Sequence, residues 1–244
     1  KLLPKGTMPK HAKGGKIMKN YLGILLCFAL LALAGCKLEH ISRVKLSQMS
    51  NDIQTIQTAV RIEVPSCTHY EDKTKPSKSL LDTAQLVEQL FSDAEFDGCQ
   101  NEGLESIATY LVPMQVGTVP PDAKDYTPKG ISIIRNNYGV VFFALSEDIR
   151  QKISEAKKNA MTKDLKFNVI IKFINDTNEE LKIFPSAVYV DDIAFAGLPA
   201  WGNNYTILPK KTATIILSNV ASDYVVSNGL VPVFSEAQKQ NTKE

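Results

Sequence analysis

The sequence predicts an α+β fold: a mixed N-terminal α/β region, two helices overall, and an antiparallel, sandwich-like β-rich C-terminal half. Three observations carry that expectation. Two segments place apolar residues at helical spacing directly behind a serine. Several runs, TAVRIEV among them, alternate apolar and polar residues with the period of a half-buried strand. Beyond residue 165, short apolar runs recur between turn residues, the pattern of an antiparallel sheet or small sandwich.

Taken in order, ISRVKL reads as a first strand. In TAVRIEV, Val60, Ile62 and Val64 oppose Arg61 and Glu63, and Pro65-Ser66-Cys67 ends the run. After the polar loop THYEDKTKPSK, Ser79 is expected to cap a helix, with Asp82 three residues on as a variant capping box. Leu80, Leu81, Ala84, Val87, Leu90 and Phe91 then share one helical face. AEF leads through Asp97-Gly98 to Cys99, and SIATYLVPMQV is a further extended run in which Pro113 marks a bulge or an edge.

GTVPPDAKDYTPKG, at 117–130, holds Pro120, Pro121 and Pro128 without apolar periodicity, so it is the best internal boundary or else a long loop. ISII and GVVFFAL flank Arg135-Asn136-Asn137-Tyr138 as a hairpin. Ser146 caps a second helix, from Glu147 to about Met161, with Ile149, Ile153, Ala156 and Ala160 as its buried stripe. Glu147 and Asp148 at its start and Lys157, Lys158 and Lys163 at its end suit the helix dipole. KFNVIIKFI then turns at Asn175–Asn178 into ELKIF, and SAVYV, YTIL, TATIIL, DYVV and LVPVF complete the strands.

The first 35 residues differ from the rest. Tyr21–Ala34 is an uncharged apolar run of fourteen residues, short of the roughly 20 that a spanning helix needs. Six lysines and no acid accompany it before Cys36, and Leu33-Ala34-Gly35-Cys36 follows it, the layout of a secretory signal. LALAGCK in this position resembles the lipobox of a bacterial lipoprotein signal. That resemblance implies cleavage before Cys36, acylation of Cys36, and anchorage in a membrane facing the periplasm. In that class an aspartate after the cysteine favours the inner membrane; Lys37 stands there, which implies the outer membrane. RIEVPSC, KPSKSL and Cys99 also resemble uncharacterised lipoproteins of bacteria and their prophages, a likeness that supports pairing of Cys67 with Cys99.

The expected organisation is therefore an upstream extension at 1–17, a signal at 18–35 beginning at Met18, an α+β region at 36–116, a linker or loop at 117–130, a β-rich region with one helix at 131–234, and a frayed polar tail at 235–244. Removing 35 residues leaves 22 basic (28 minus 6) against 26 acidic side chains, a formal charge of −4 in place of +2. Net charge thus gives no case for nucleic-acid binding. Cys67 and Cys99 remain; in an exported protein they form a disulfide or stay as two buried thiols. Only Lys37–His40 separate Cys36 from the first expected strand, a tether of at most ~14 Å.

Catalytic signatures are missing. After Cys36 only His40 and His69 remain, too few for a histidine metal site and hard to fit to a serine triad. CTHYED around His69 reads as a polar loop, Asp191-Asp192 as a solvated turn, and INDTNEE as an ordinary hairpin turn without the spaced calcium-loop pattern. No cofactor is expected. FAGLPAWGNNYT is the most suggestive surface: Phe195, Leu198, Trp201 and Tyr205 stand among glycines and asparagines, as in adaptable recognition loops. Trp201 could equally plug the end of the fold. The expected function is non-enzymatic, a membrane-tethered binding or assembly module with an envelope protein as partner. The alternatives are an envelope hydrolase, which requires a cleft with a strongly shifted carboxylate, and a phage-exclusion lipoprotein that blocks a receptor.

Overall fold

The structure, a computed structural model, describes residues 37–120, 126–158, 165–196 and 203–237. Cys36–Glu244 forms one compact unit. Strand β1 (Lys37–Lys45) is followed by the one-turn helix α1 (Leu46–Met49) and β2 (Gln54–Val64). Helix α2 (Lys78–Leu90) leads to the hairpin of β3 (Glu95–Glu102) and β4 (Glu105–Thr118). A second hairpin, β5 (Ile131–Arg135) and β6 (Val140–Leu145), runs into α3 (Glu147–Ala156). Then come β7 (Lys166–Ile174), β8 (Leu181–Pro185), β9 (Val188–Val190), β10 (Ile193–Phe195), β11 (Tyr205–Ile207) and β12 (Thr212–Leu217). Helix α4 (Asn219–Asn228) and β13 (Leu230–Glu236) close the chain.

The α+β expectation is overturned. Strand accounts for 49% of the structure and helix for 20%, and the fold is nearly all-β. All the described strands join one sheet, in the order β10-β9-β12-β7-β1-β2-β4-β5-β6-β13-β8-β11, with β3 beside β4. No separate N-terminal α/β region exists, because β1 lies between β2 and the much later β7. Among the described residues there is no second sheet to make a sandwich. The 117–130 stretch begins inside β4 and connects it to β5, its direct parallel neighbour. Local patterns identified most strands; what they could not supply was which strands are neighbours.

Connectivity requires the sheet to curl. Ser186 and Ala187 alone join β8 to β9, which stand near opposite ends of the order. Such a link spans about 10 Å, so the two ends approach each other and the sheet becomes a half-barrel. The interior confirms this. Phe143 of β6 has its ring 5.6 Å from that of His40 on β1 and 6.4 Å from that of Phe167 on β7. Phe173 of β7 meets Phe234 of β13 edge-on at 5.1 Å. None of these pairs are sheet neighbours, so the contacts cross the barrel. Helix α4 touches β6, β7, β12 and β13, two strands from each side, and so bridges them.

The caps explain where the helices begin. Ser77, not Ser79, caps α2, its Oγ accepting from the Leu80 amide. Ser146 caps α3 as the sequence implied. DYVV, expected as a strand, lies in α4, where Ser218 accepts from the Ala221 amide and Gly229 ends the helix at φ 88°. That left-handed turn is one glycine adopts without strain. Pro113 also finds a reason. One edge of β4 pairs throughout with β2, while the other passes from β3, ending at Leu111, to β5, beginning at Met114. Pro113, lacking an N–H, falls in that gap.

Candidate functional site: the Cys36 end and the Phe195–Tyr205 loop

The expected tether is absent. Lys37–His40 are the first four residues of β1, paired with β7 throughout and with β2 from Leu38. Leu38 and His40 are fully buried. The period-2 burial of β1 runs through Leu38, His40, Ser42 and Val44 and begins three residues before ISRVKL; two of the four are polar, so apolar alternation did not reveal it. The strand therefore starts at the residue after Cys36.

His40 is an interior side chain held by chemistry. Its Nε2 lies 3.0 Å from Thr58 Oγ1, and the Thr58 hydroxyl donates to the Val112 carbonyl at 3.2 Å. The threonine proton is thus committed, so Nε2 carries hydrogen and donates. Nδ1 is buried without a partner. Burial pushes the imidazole pKa down to about 3.

The disulfide joins Cys67 and Cys99 with Cα atoms 5.6 Å apart, tying the loop after β2 to β3. Cys67 is therefore no metal ligand. His69 stacks against Tyr70 with ring centroids 5.0 Å apart, and its Nδ1 accepts from the Glu71 amide at 3.3 Å. Among the described residues no group of three or more His, Cys, Asp or Glu could hold a metal ion. Among them, too, no helix is long and apolar enough to cross a membrane.

The aromatic loop divides. Leu198 and Trp201 lie outside the described residues. Phe195 and Tyr205, at its two ends, meet edge-on with centroids 6.3 Å apart. Phe195 belongs to β10 and Tyr205 to β11, the first and last strands of the order. The Tyr205 hydroxyl donates to Asp191 Oδ2, and Asp191 Oδ1 accepts from the Thr214 amide at 2.7 Å. The Asp191 carboxylate holds the Tyr205 phenol protonated, its pKa pushed up to about 12. These contacts clasp the two sheet edges, so both feet of the loop are fixed. Tyr189 and Ile193 are exposed on the β9–β10 hairpin, which ends at Phe195.

Two seam residues escaped the sequence reading. Asp191 looked like a plain turn acid, although Asp191 and Asp192 do sit in a turn, at φ 45° and 68°. Asn175, the residue after β7, is fully buried, its amide nitrogen donating to the carbonyls of Glu179 and Ile207 at 2.7 and 2.9 Å. INDTNEE is therefore no hairpin: β7 and β8 do not pair, and Asn175 fastens the crossing between the two ends of the sheet. An asparagine before Asp-Thr gives a turn signal and no hint of such long-range bonds.

Three open clefts, of about 470, 450 and 520 Å³, lie at the β4 edge near Pro113, between α3 and α4, and beside the Arg135–Glu236 ion pair. Asp72 and Asp176 are held below the usual carboxylate range, first by hydrogen bonds from Thr74 and Ser47 respectively, and neither lines one of these three clefts. Hydrogen bonds of this kind stabilise the anion, the opposite of what a proton donor requires.

A family model described as a domain of unknown function, DUF7424, matches residues 39–240, from within β1 to beyond the end of β13. The match spans well over half of the chain, and the chain belongs to that family. No curated protein and no solved structure matches it.

Proposed function

We propose that this DUF7424 chain is a lipid-anchored protein of the bacterial envelope, acylated on Cys36, and that it works as a non-enzymatic binding or assembly module facing the periplasm from the outer membrane. The observation that carries the reading is the position of LALAGC: it follows a basic, then apolar segment and ends one residue before β1. A cut at Cys36 would remove everything before the sheet and nothing of it. The Cys67–Cys99 disulfide suits an oxidising compartment. Two acyl chains give stable anchorage, and confinement to a surface raises the effective concentration of a module near its partners.

The binding face in this reading is the loop between Phe195 and Tyr205, with Trp201 as its anchor. A clasped loop loses less freedom on binding than a free one, which favours affinity. Crosslinking in the intact envelope, followed by identification of the captured protein, tests the face: Trp201→Ala should lower capture at least tenfold and leave thermal stability unchanged. Unchanged capture, or a large loss of stability, would reject it. Cell fractionation tests the anchor: Cys36→Ser should release the protein from membranes, and continued membrane retention would reject acylation as the tether.

A further inference from the structure

We infer that the tip of the β3–β4 hairpin is a second membrane contact, in which the Leu104 side chain enters the lipid surface beside Cys36. This inference rests on the anchored reading above. Register carries it. Leu38 pairs with Ile62 and Ile62 with Ala108, so Lys37, the first residue of β1, stands one rung short of Val64. Val64 pairs with Ser106, and Ser106 with Asn101. The hairpin continues past that rung through Glu102 and Glu105 to Gly103-Leu104. The tip therefore overhangs the Val64 rung by about two residues, or about 7 Å at strand rise. That reach matches the ~5–10 Å depth at which apolar groups lodge at the headgroup boundary.

Leu104 is fully exposed at 107% of its reference area, the most exposed large apolar side chain described. A solitary exposed leucine means little on most surfaces; here it sits at the end of the molecule where the anchor emerges. The post beneath it is firm. The Cys67–Cys99 disulfide ties β3 to the loop after β2, Arg61 pairs with Glu102, and Ser106 Oγ donates to Asn101 Oδ1 at 2.8 Å. Glu102 and Glu105 flank the tip, so the fitting partner is a zwitterionic lipid surface and not an anionic one.

The opposite end supplies a control. Arg135 pairs with Thr118 at the far end of β4, and the turn that follows it carries Tyr138, 71% exposed. Leu104→Cys and Tyr138→Cys, each introduced into the full chain and purified after maturation in cells, can be labelled with an environment-sensitive nitrobenzoxadiazole probe in phosphatidylcholine vesicles. Cys67 and Cys99 are tied to each other and stay unlabelled. At position 104 the emission should move to shorter wavelength and be quenched at least twofold by spin-labelled lipid. At 138 neither should occur. A probe at 104 that stays in water, on protein that floats with the vesicles and carries acyl chains on Cys36, would overturn the second contact alone. Protein that neither floats nor carries acyl chains would overturn it together with the anchor.

Discussion

His40 shows how one side chain sets a pH limit on the fold. Nε2–H donates to Thr58, whose own proton goes to Val112, and Nδ1 faces no acceptor. Protonation would bury an unpaired charge beside Phe143. The folded pKa is about 3 against 6.5 for the free side chain, so the unfolded chain takes the proton first. The stability due to His40 is thus complete above pH 6.5 and is lost as pH falls from there toward 3. At about 1.4 kcal/mol per unit, roughly 3 kcal/mol should go between pH 6.5 and pH 4. Urea titrations across that window should show the slope, and His40→Gln, which keeps a donor for Thr58, should remove most of it. An unaltered slope in the variant would assign the effect elsewhere.

Among the elements, α4 and the β3 staple test the packing account most directly. Helix α4 bridges the two sides of the half-barrel, and Gly229 ends it at φ 88°. A Cβ there would lie 3.0 Å from Arg150 Nε and 3.3 Å from the Leu145 carbonyl oxygen. Gly229→Ala should therefore cost about 1–2 kcal/mol, read by chemical denaturation; a neutral result would mean the turn is not held as described. The disulfide closes a loop with a sequence separation of 32, so reduction should cost about 3–4 kcal/mol on the chain-entropy account. Equal stability with and without reductant would remove the staple from the argument. Helices α2 and α3 were legible because their buried residues, Leu80, Val87, Leu90, Ile149 and Ile153, fall at helical spacing behind serines. Helix α4 was missed because Tyr224, Val225 and Val226 mimic a strand, although Ser218 and Gly229 mark both its ends in the sequence.

At the scale of the whole molecule, the chain builds one curled sheet by returning strands from its second half to the flanks of its first. β7 lands against β1, and β12 and β9 extend that side, while β13 and β8 extend the other. Alternation reveals that a strand exists; it carries no information on its partner. That is why the α+β, two-region expectation arose and why it failed. The same limit applies to the seam, where Asn175, Asp191 and Tyr205 act across separations of 14 to 33 residues. The anchor reading is of a different kind: it rests on LALAGC alone, with β1 beginning one residue later. The mass of the mature chain's N-terminal peptide, isolated from membranes, tests it most directly. The account predicts a peptide that begins at Cys36 and carries acyl chains; an unmodified Cys36, or a peptide that runs through it from residues upstream, would contradict it.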